Sequence, residues 1–169
     1  MVVEHVEVAE RRFRESFGRY YEDFEVGDVY EHRPGRTITQ TDNTWFTLLT
    51  MNTHPLHFDE VYAAKSEFKQ PLVNSTLTLA VVMGMSVSDV SQKAIGNLGW
   101  NKIRLTAPVF AGDTLYAESE VLAKRESKSR PTQGIVTVST IGKKQDGTVV
   151  LTCERNVLVP KRGHAVDDV

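Results

Sequence analysis

The sequence predicts an α+β fold in which a long antiparallel sheet curls around a single apolar helix. Residues 70–88 contain no charged side chain, and their apolar members cover most of a helix circumference, which is typical of a helix surrounded by protein. From about residue 98 onward the hydrophobic period changes to two, the period of a strand. The simplest way to combine one buried helix with several long strands is to wrap the sheet around the helix.

The first half of the chain contains the helices. The β-branched, Thr-rich stretch 36–40 predicts a strand, and the residues that follow it predict a short helix from about 42 to 50, capped by Thr41 or Asp42. The apolar helix begins near Asn74 or Ser75, because either side chain can accept a hydrogen bond from the first turn.

The second half predicts four long strands. Asp146-Gly147 is a hairpin signal between the last two, and Ala111-Gly112-Asp113 is a turn before the second, so we expect an antiparallel sheet. The predicted strands are 99–105, 114–125, 134–143 and 148–159.

The 169 residues are enough for one domain, which we expect over 20–160. Residues 1–19 and 161–169 are interpreted as extensions outside the core. Arg11, Arg12 and Arg14 have the composition of a patch for an acidic partner, but we interpret them as the solvated face of a short helix whose Phe13 and Phe17 pack inward.

Charge and cysteine content exclude several classes of protein. The formal net charge of −2 provides no positive field for nucleic acid. Cys153 is the single cysteine, which excludes an intramolecular disulfide and a cysteine-based zinc cluster and indicates a reducing compartment. The polar residues inside 70–88 argue against a membrane span, and the charged first fourteen residues do not form a secretory signal. We therefore expect a cytoplasmic protein with no membrane or nucleic-acid partner.

The densest group of reactive side chains lies between the two predicted helices, in residues 51–59. This stretch contains His54, His57 and Asp59, and such groups concentrate in loops held by a rigid scaffold. Pro55 prevents the helical geometry in which two histidines share a metal ion, and no cysteine lies nearby. The sequence therefore predicts a chemical site without a metal.

The segment 54–59, His-Pro-Leu-His-Phe-Asp, resembles the motif Asp-x-Asn-Pro-x-His-x-Asp of the MaoC-like (R)-specific enoyl-CoA hydratases. Two further stretches resemble the same family, Phe-Glu-Val-Gly-Asp at 24–28 and Ala-Pro-Val-Phe-Ala-Gly-Asp at 107–113. The resemblance extends from about residue 20 to 160. It implies a hot-dog fold, in which the sheet wraps a central helix, and this agrees with the layout expected from hydrophobic periodicity.

The resemblance also implies a reaction, the addition of water to a 2-enoyl-CoA or its removal from a (3R)-hydroxyacyl-CoA. The family's motif histidine corresponds to His57, whereas the motif aspartate is replaced by Asn52. A neutral carboxamide cannot accept a proton. An imidazole can both take a proton and return it, so the hypothesis is that His57 is the acid and base while Asn52 holds the water.

Four further positions are interpreted as substrate-binding. His54 replaces the motif asparagine, and Asn74-Ser75 stands where the family usually has His-Gly at the entrance of the central helix. The resemblance implies that a backbone N–H there binds the enolate oxygen, and Ser75 can supply one. Met83 replaces a serine frequent in the family and is expected to line the acyl pocket.

The leading hypothesis is an acyl-CoA hydratase or dehydratase whose acyl group is branched or dicarboxylic, such as mesaconyl or itaconyl, with no cofactor. A hot-dog acyl-CoA thioesterase and a non-catalytic acyl-CoA-binding or regulatory protein remain as alternatives. His57 in a hydratase-like motif argues against the thioesterase. The loss of the motif aspartate is the support for the non-catalytic protein. The expected edge strand of the sheet and the resemblance both predict a homodimer or a dimer of dimers.

Overall fold

The computed structural model describes residues 3–168 and, within them, the side chains of all residues except 3, 4 and 167. The strands are β1 Val3–Ala9, β2 Arg12–Phe17, β3 Val29–Thr37, β4 Gly96–Leu105, β5 Thr114–Glu126, β6 Gln133–Lys144 and β7 Val149–Pro160. The helices are α1 Gln40–Leu49, α2 Glu60–Lys65 and α3 Ser75–Met85, with short 3₁₀ helices at Tyr21–Asp23, Pro55–His57 and Val166–Asp168 and a π-helix at Val87–Ser91.

Strands β3 to β7 form one antiparallel sheet in the order β3-β5-β6-β7-β4, and β1 pairs with β2 in a separate hairpin. The four strands expected in the second half are confirmed, each within three residues of its predicted ends. Helix α3 lies against β3, β5, β6 and β7, so the sheet curls around it as predicted.

The core consists of the inner face of α3 and the inward residues of the sheet. Leu77, Val82 and Met83 pack with Leu115 and Leu151 in one apolar cluster. The outer face of α3 is exposed at Thr76, Ala80 and Gly84. The expectation that protein surrounds the helix therefore holds for one face only within this chain.

A glycine in the sheet sets the distance between α3 and β6. A Cβ atom built on Gly142 would lie 2.6 Å from Cγ2 of Val82, which is closer than two carbon atoms approach without displacement. The hydrogen of Gly142 therefore lets the helix lie directly on the strand.

The helix entrances follow from side-chain caps. Asn74 caps α3, because its Oδ1 accepts a hydrogen bond of 2.9 Å from the N–H of Thr76, and the predicted start is confirmed. Helix α1 begins two residues earlier than expected. Thr39 accepts from the N–H of Asp42, and Asp42 accepts from the N–H of Thr39, so this reciprocal pair rather than Thr41 or Asp42 forms the cap.

The first expected strand also differs, because β3 occupies 29–37 rather than 36–40. Residues 39–40 belong to the cap and the first turn of α1, where the side chain of Thr39 bonds the backbone. Helix α2 was not predicted. Asp59 caps it by accepting a 2.9 Å bond from the N–H of Tyr62, which gives this residue a structural role.

The N-terminal expectation of a short helix is wrong. Residues 3–17 form the β1–β2 hairpin, in which Val6 and Val8 alternate with acidic residues at the period of a strand. Phe13, expected to pack inward, is 64% exposed. Arg11 occupies the turn with a φ of 57°, so the arginines lie at the tip and on the second strand of a hairpin.

The C-terminal residues fold back on the start of the main sheet domain. Arg162 pairs with Asp23, Asp168 bonds the hydroxyl of Tyr20, and Ala165 is buried. The boundary at residue 160 stays a prediction. Within the described part of the chain, no helix is long and apolar enough to cross a membrane, and the cytoplasmic location stays a prediction as well.

Candidate active site

The loop between α1 and α2 carries His57 on the short helix Pro55–His57, with 9% of the residue exposed. Its Nδ1 lies 2.7 Å from the backbone oxygen of Leu72. A carbonyl oxygen can only accept, so Nδ1 carries the proton and Nε2 has the free lone pair. Among residues 3–168 no protein group bonds Nε2, so this nitrogen is available to a water molecule or a substrate.

A residue that the sequence did not single out, Asn43, links the His57 loop to the entrance of α3. Its Nδ2 donates to the backbone oxygens of His57 at 2.8 Å and Leu72 at 3.0 Å, and its Oδ1 accepts from the N–H of Asn74 at 2.8 Å. Asn43 is completely buried. Asn43 stands among the polar residues of the first turn of α1, so nothing in the local sequence marks it as buried.

The entrance of α3 presents Asn74 and Ser75, as expected. Asn74 is buried, and its Nδ2 has no partner among the described residues, while Oδ1 is used by the first turn of the helix. Beside it lies a cavity of 280 Å³ whose walls include Val73, Ser75 and Thr78 on one side and residues 105–109 on the other. Both predicted residues therefore lie at the same helix entrance as the carbonyl that binds His57.

His54 lies beside His57, with 5.9 Å between the ring centres, and its residue is exposed. Its Nδ1 accepts a 3.2 Å bond from the N–H of Leu56 and caps the short helix that carries His57. The ring also meets Tyr62 edge to face at 6.0 Å. These contacts give His54 a structural task, and its role in substrate binding stays a prediction.

Asn52 is half-buried at the start of the same loop. Its Oδ1 accepts a 3.1 Å hydrogen bond from the N–H of His54, so the acceptor of this carboxamide is used by the loop itself. The Nδ2 group remains as a donor. Asn52 can therefore donate a hydrogen bond to the oxygen of a water molecule but cannot take its proton.

Met83 lies apart from these groups. It is 8% exposed and packs in the central cluster with Leu77 and Leu115, and it is not a wall of the cavity beside Ser75. The structure brings together His57, His54, Asn74 and Ser75, whereas Met83 lies about two turns further along α3. A contact between Met83 and an acyl group stays a prediction.

The comparison with known proteins decides the family. A sequence model described as mesaconyl-CoA hydratase matches residues 4–169. The chain belongs to the mesaconyl-CoA hydratase family. Its fold is the hot-dog fold, as expected.

Relatives support the same placement. A mesaconyl-CoA hydratase of Cereibacter sphaeroides is 34% identical over 88% of this chain and 43% of its own length. An (R)-specific enoyl-CoA hydratase of Aeromonas caviae is 33% identical over 68% of this chain and 81% of that protein. The chain thus spans less than half the length of the first of these relatives.

Among solved structures, the MaoC-like dehydratase of Rhodospirillum rubrum has a TM-score of 0.75 and 30% identity, covering 86% of this chain and 99% of that one. The resemblance to MaoC-like hydratases is therefore confirmed. Within residues 3–168, no group of three or more His, Cys, Asp or Glu side chains is arranged to hold a metal ion.

The protein has a second hydrogen-bonded histidine, His32, which the sequence analysis did not single out. His32 is completely buried, with Nδ1 at 2.9 Å from Oδ2 of Asp89 and Nε2 at 2.8 Å from the hydroxyl oxygen of Ser119. The hydroxyl of Ser119 in turn lies 2.8 Å from that of Thr140, and Arg19 contacts Asp89 at 3.4 Å. The order Asp, His, Ser is that of a hydrolase triad, but no member is open to solvent.

The environment of His32 and Asp89 determines which of the two side chains is charged. Burial lowers the pKa of His32 despite the opposing hydrogen bond and charge of Asp89. Burial raises the pKa of the Asp89 carboxyl, but hydrogen bonds, the one from His32 among them, outweigh burial and hold the pKa below its usual value. A neutral imidazole therefore donates from Nδ1 to an ionised carboxylate and accepts at Nε2 from Ser119.

Proposed function

We propose that this chain hydrates a 2-enoyl-CoA thioester, or dehydrates the corresponding 3-hydroxyacyl-CoA, with His57 as the acid and base. The observation that carries the proposal is the arrangement of the His57 ring. Its Nδ1–H is bonded to the oxygen of Leu72, two residues before the cap of α3, so in the neutral ring Nε2 carries a lone pair that no described protein group uses. The names of the two relatives, a mesaconyl-CoA hydratase and an (R)-specific enoyl-CoA hydratase, support the same reaction.

Each step of the proposed hydration conserves atoms and charge. Nε2 of His57 takes a proton from water while the oxygen forms a bond to the β-carbon of the enoyl group, and the electron pair of the double bond moves toward the thioester oxygen. The imidazolium then returns its proton to the α-carbon on the same face, which restores neutral His57. The Nδ2 group of Asn52 donates to the water oxygen and fixes its lone pairs.

The developing enolate oxygen needs donors that are already in place. The N–H of Ser75 lies at the N-terminus of α3, where the helix dipole favours negative charge. Asn74 contributes its unpartnered, buried Nδ2 group. A buried donor without an acceptor costs about 1–3 kcal/mol, so an oxygen bound there relieves a cost that the free protein already carries.

The size of the cavity favours a short acyl group. Its 280 Å³ lies below the usual range of ligand pockets, about 300–1,000 Å³. The residues lining it are apolar or carry hydroxyl groups, and none is charged. These walls suit a short chain with a methyl branch, and the name of the Cereibacter sphaeroides relative points to mesaconyl-CoA, whose free carboxylate can accept a hydrogen bond there from the hydroxyl of Ser75. We therefore propose a short, methyl-branched enoyl thioester, with mesaconyl-CoA as the first candidate.

The proposed active unit is a homodimer or a dimer of dimers. Strand β4 lies at one edge of the sheet, and Leu98, Trp100 and Leu105 on it are at least half exposed. An exposed edge with apolar side chains favours pairing with another strand. A second copy pairing along β4 would cover this edge and extend the cavity that residues 105–109 line.

The reaction is tested by incubating the purified chain with mesaconyl-CoA, itaconyl-CoA and crotonyl-CoA and following loss of the conjugated double bond. We expect hydration, fastest with mesaconyl-CoA. Butyryl-CoA, which has no double bond, is the matched control for thioester cleavage. Release of free coenzyme A from butyryl-CoA would support a thioesterase instead, and tight binding of every ester without turnover would support a non-catalytic binder.

The oligomeric state is tested by sedimentation at micromolar concentration. We expect a dimer or a larger even assembly, and Trp100→Glu should shift it toward monomer because a charge would enter the proposed interface. Val26→Glu is the control, since Val26 is similarly exposed at 60% but precedes β3 at the opposite edge of the sheet. A monomeric parent protein would contradict the proposed pairing.

A further inference from the structure

We propose that Asn43 is a positioning residue that holds the His57 imidazole and the entrance of α3 in a fixed relative geometry. The inference rests on the proposed function, because it assigns the two groups that Asn43 connects to the same reaction. One places a base near the attacking water, and the other places donors near the enolate oxygen. Asn43 itself does not line the cavity, but it bonds the backbone oxygen of Leu72, which is one of the cavity walls.

Three hydrogen bonds converge on this one carboxamide. Nδ2 donates to the backbone oxygens of His57 and Leu72, and Oδ1 accepts from the N–H of Asn74. The oxygen of Leu72 also accepts from Nδ1 of His57. Asn43 therefore holds His57 directly at its backbone oxygen, and it also holds the Leu72 oxygen to which the His57 ring is bonded.

The chemistry of the three partners requires a carboxamide. Two of them are acceptors and one is a donor, so the side chain must supply two N–H groups and one oxygen at the same time. An aspartate places an oxygen against two carbonyl oxygens, and a serine supplies one donor at most. Asn43 has no exposed surface, so bulk water does not replace a missing bond at this position.

Gln40 provides a matched control on the same helix. Its Nε2 donates to the same oxygen of His57 at 2.8 Å, the distance found for Asn43. Gln40 makes no bond to Leu72 or Asn74 in the described structure. Both variants at these positions lose a bond to His57, but only the variant at Asn43 uncouples the imidazole from α3.

The first experiment compares kcat and KM in Asn43→Ala and Gln40→Ala. Misplacement of a reacting group by about 1 Å costs roughly 100-fold in rate, so we expect Asn43→Ala to lower kcat by about 10- to 100-fold with KM within about threefold. Gln40→Ala should lower kcat by less than about threefold. Equal losses in the two variants, or a loss confined to KM, would overturn the inference.

The second experiment uses Asn43→Asp, which serves as its own control for folding. Burial and the two facing carbonyl oxygens raise the pKa of the new carboxyl. Protonation restores one donor, so kcat relative to the parent protein should rise as the pH falls through that pKa. A ratio independent of pH in the folded variant would contradict a positioning role.

A spectroscopic readout separates this inference from the proposed reaction. The ¹⁵N signals of the His57 ring, assigned by their absence in His57→Ala, report which nitrogen carries the proton. We expect the Nδ1–H form in the parent and in Gln40→Ala, and a mixture of forms in Asn43→Ala. If the parent hydrates no ester, the proposed function fails while this result still decides the positioning role, and an unchanged ring spectrum in Asn43→Ala would refute it.

Discussion

His57 and His32 occupy two contrasting sites of one domain. Both are held by hydrogen bonds at Nδ1, His57 to a backbone carbonyl and His32 to the carboxylate of Asp89. They differ at Nε2. In His32 this nitrogen is hydrogen-bonded to Ser119, whereas in His57 it has no protein partner within residues 3–168. The site that resembles a hydrolase triad is closed, and the site with the simpler geometry is open.

The contrast shows that the right residue types are not enough for a catalytic site. At least one of their hydrogen-bonding atoms must also be left without a protein partner, so that a substrate or a water molecule can bind it. The Asp89–His32–Ser119 chain uses all of its donors and acceptors inside the protein, so it joins the π-helix after α3 to strands β3 and β5. The His57 site keeps two unfilled positions, Nε2 of His57 and Nδ2 of Asn74. The first network joins elements of the fold, and the second is the site at which we propose that a ligand binds.

The largest expected effect separates the two histidines in activity. His57→Ala removes the proposed acid and base, so kcat/KM should fall by about 10²- to 10⁴-fold while the thermal midpoint stays close to that of the parent. Steady-state hydration and a melting curve on the same sample measure both quantities. A variant that keeps more than a tenth of the parent activity would show that His57 does not transfer the proton.

The next effect separates them in stability. His32→Ala leaves the buried Asp89 and Ser119 without their central partner, so the free energy of unfolding should fall by about 2–4 kcal/mol. Urea unfolding measures this change, and kcat of the folded protein should remain within about threefold. Ser119→Ala, which removes the hydroxyl between His32 and Thr140 but leaves the bond from His32 to Asp89, should cost about 1 kcal/mol. A cost for His32→Ala no larger than that of Ser119→Ala would mean that the network is not cooperative.

The pH dependence of stability sharpens the same contrast. The pKa of His32 is lowered in the folded protein from its ordinary 6.5, so below that pH the unfolded chain binds a proton that the folded protein does not. The stabilisation by neutral His32 is complete above about pH 6.5 and decreases as the pH falls, with a slope of up to about 1.4 kcal/mol per pH unit. Unfolding free energies from pH 7.5 to 5 measure this slope, which should be smaller in His32→Ala. Parallel curves for the two proteins would contradict a buried neutral imidazole.

The smallest effect concerns the residue that replaces the family's aspartate. Asn52→Asp keeps the acceptor for the N–H of His54 and places a carboxylate oxygen where Nδ2 was. We expect kcat to change by less than about tenfold, while the acid limb of the pH profile and the ranking of enoyl esters both change, because two coupled groups now titrate. Asn52→Ala is the control, which loses the donor without adding a base. Identical pH profiles and ester rankings in the parent and Asn52→Asp would place residue 52 outside the reacting groups.

Local pattern predicted most of the sheet and the central helix. The long strands follow from the two-residue period of their side chains. The cap at Asn74 follows from a hydrogen bond to a residue two positions away. Neighbouring residues in the sequence determine both features. The N-terminal hairpin was wrongly predicted as a helix because its arginines and phenylalanines fit either period over so short a stretch. In that case pairing between two strands decides the outcome.

The site was only partly predictable, for a related reason. His57, Asn74 and Ser75 were predicted from the family motif and from the rules for helix entrances; the structure brings them together, and their roles in the reaction stay predictions. Asn43 contacts residues 14, 29 and 31 positions away, and His32 contacts residues 57 and 87 positions away. Both residues stand among polar neighbours in the sequence, so only the fold shows that they are buried and which partners they meet.

The contact between Gly142 and Val82 makes the depth of the cavity beside Ser75 depend on a residue that is not part of its wall. A methyl group at position 142 must push α3 away from β6, because the strand is held on both sides by β5 and β7. A helix moves nearly as a rigid rod, so displacement at Val82 reaches Ser75 two turns away. Exchange of small residues in the middle of the sheet is thus a route by which a hot-dog domain alters the room for its substrate while its reactive groups stay unchanged.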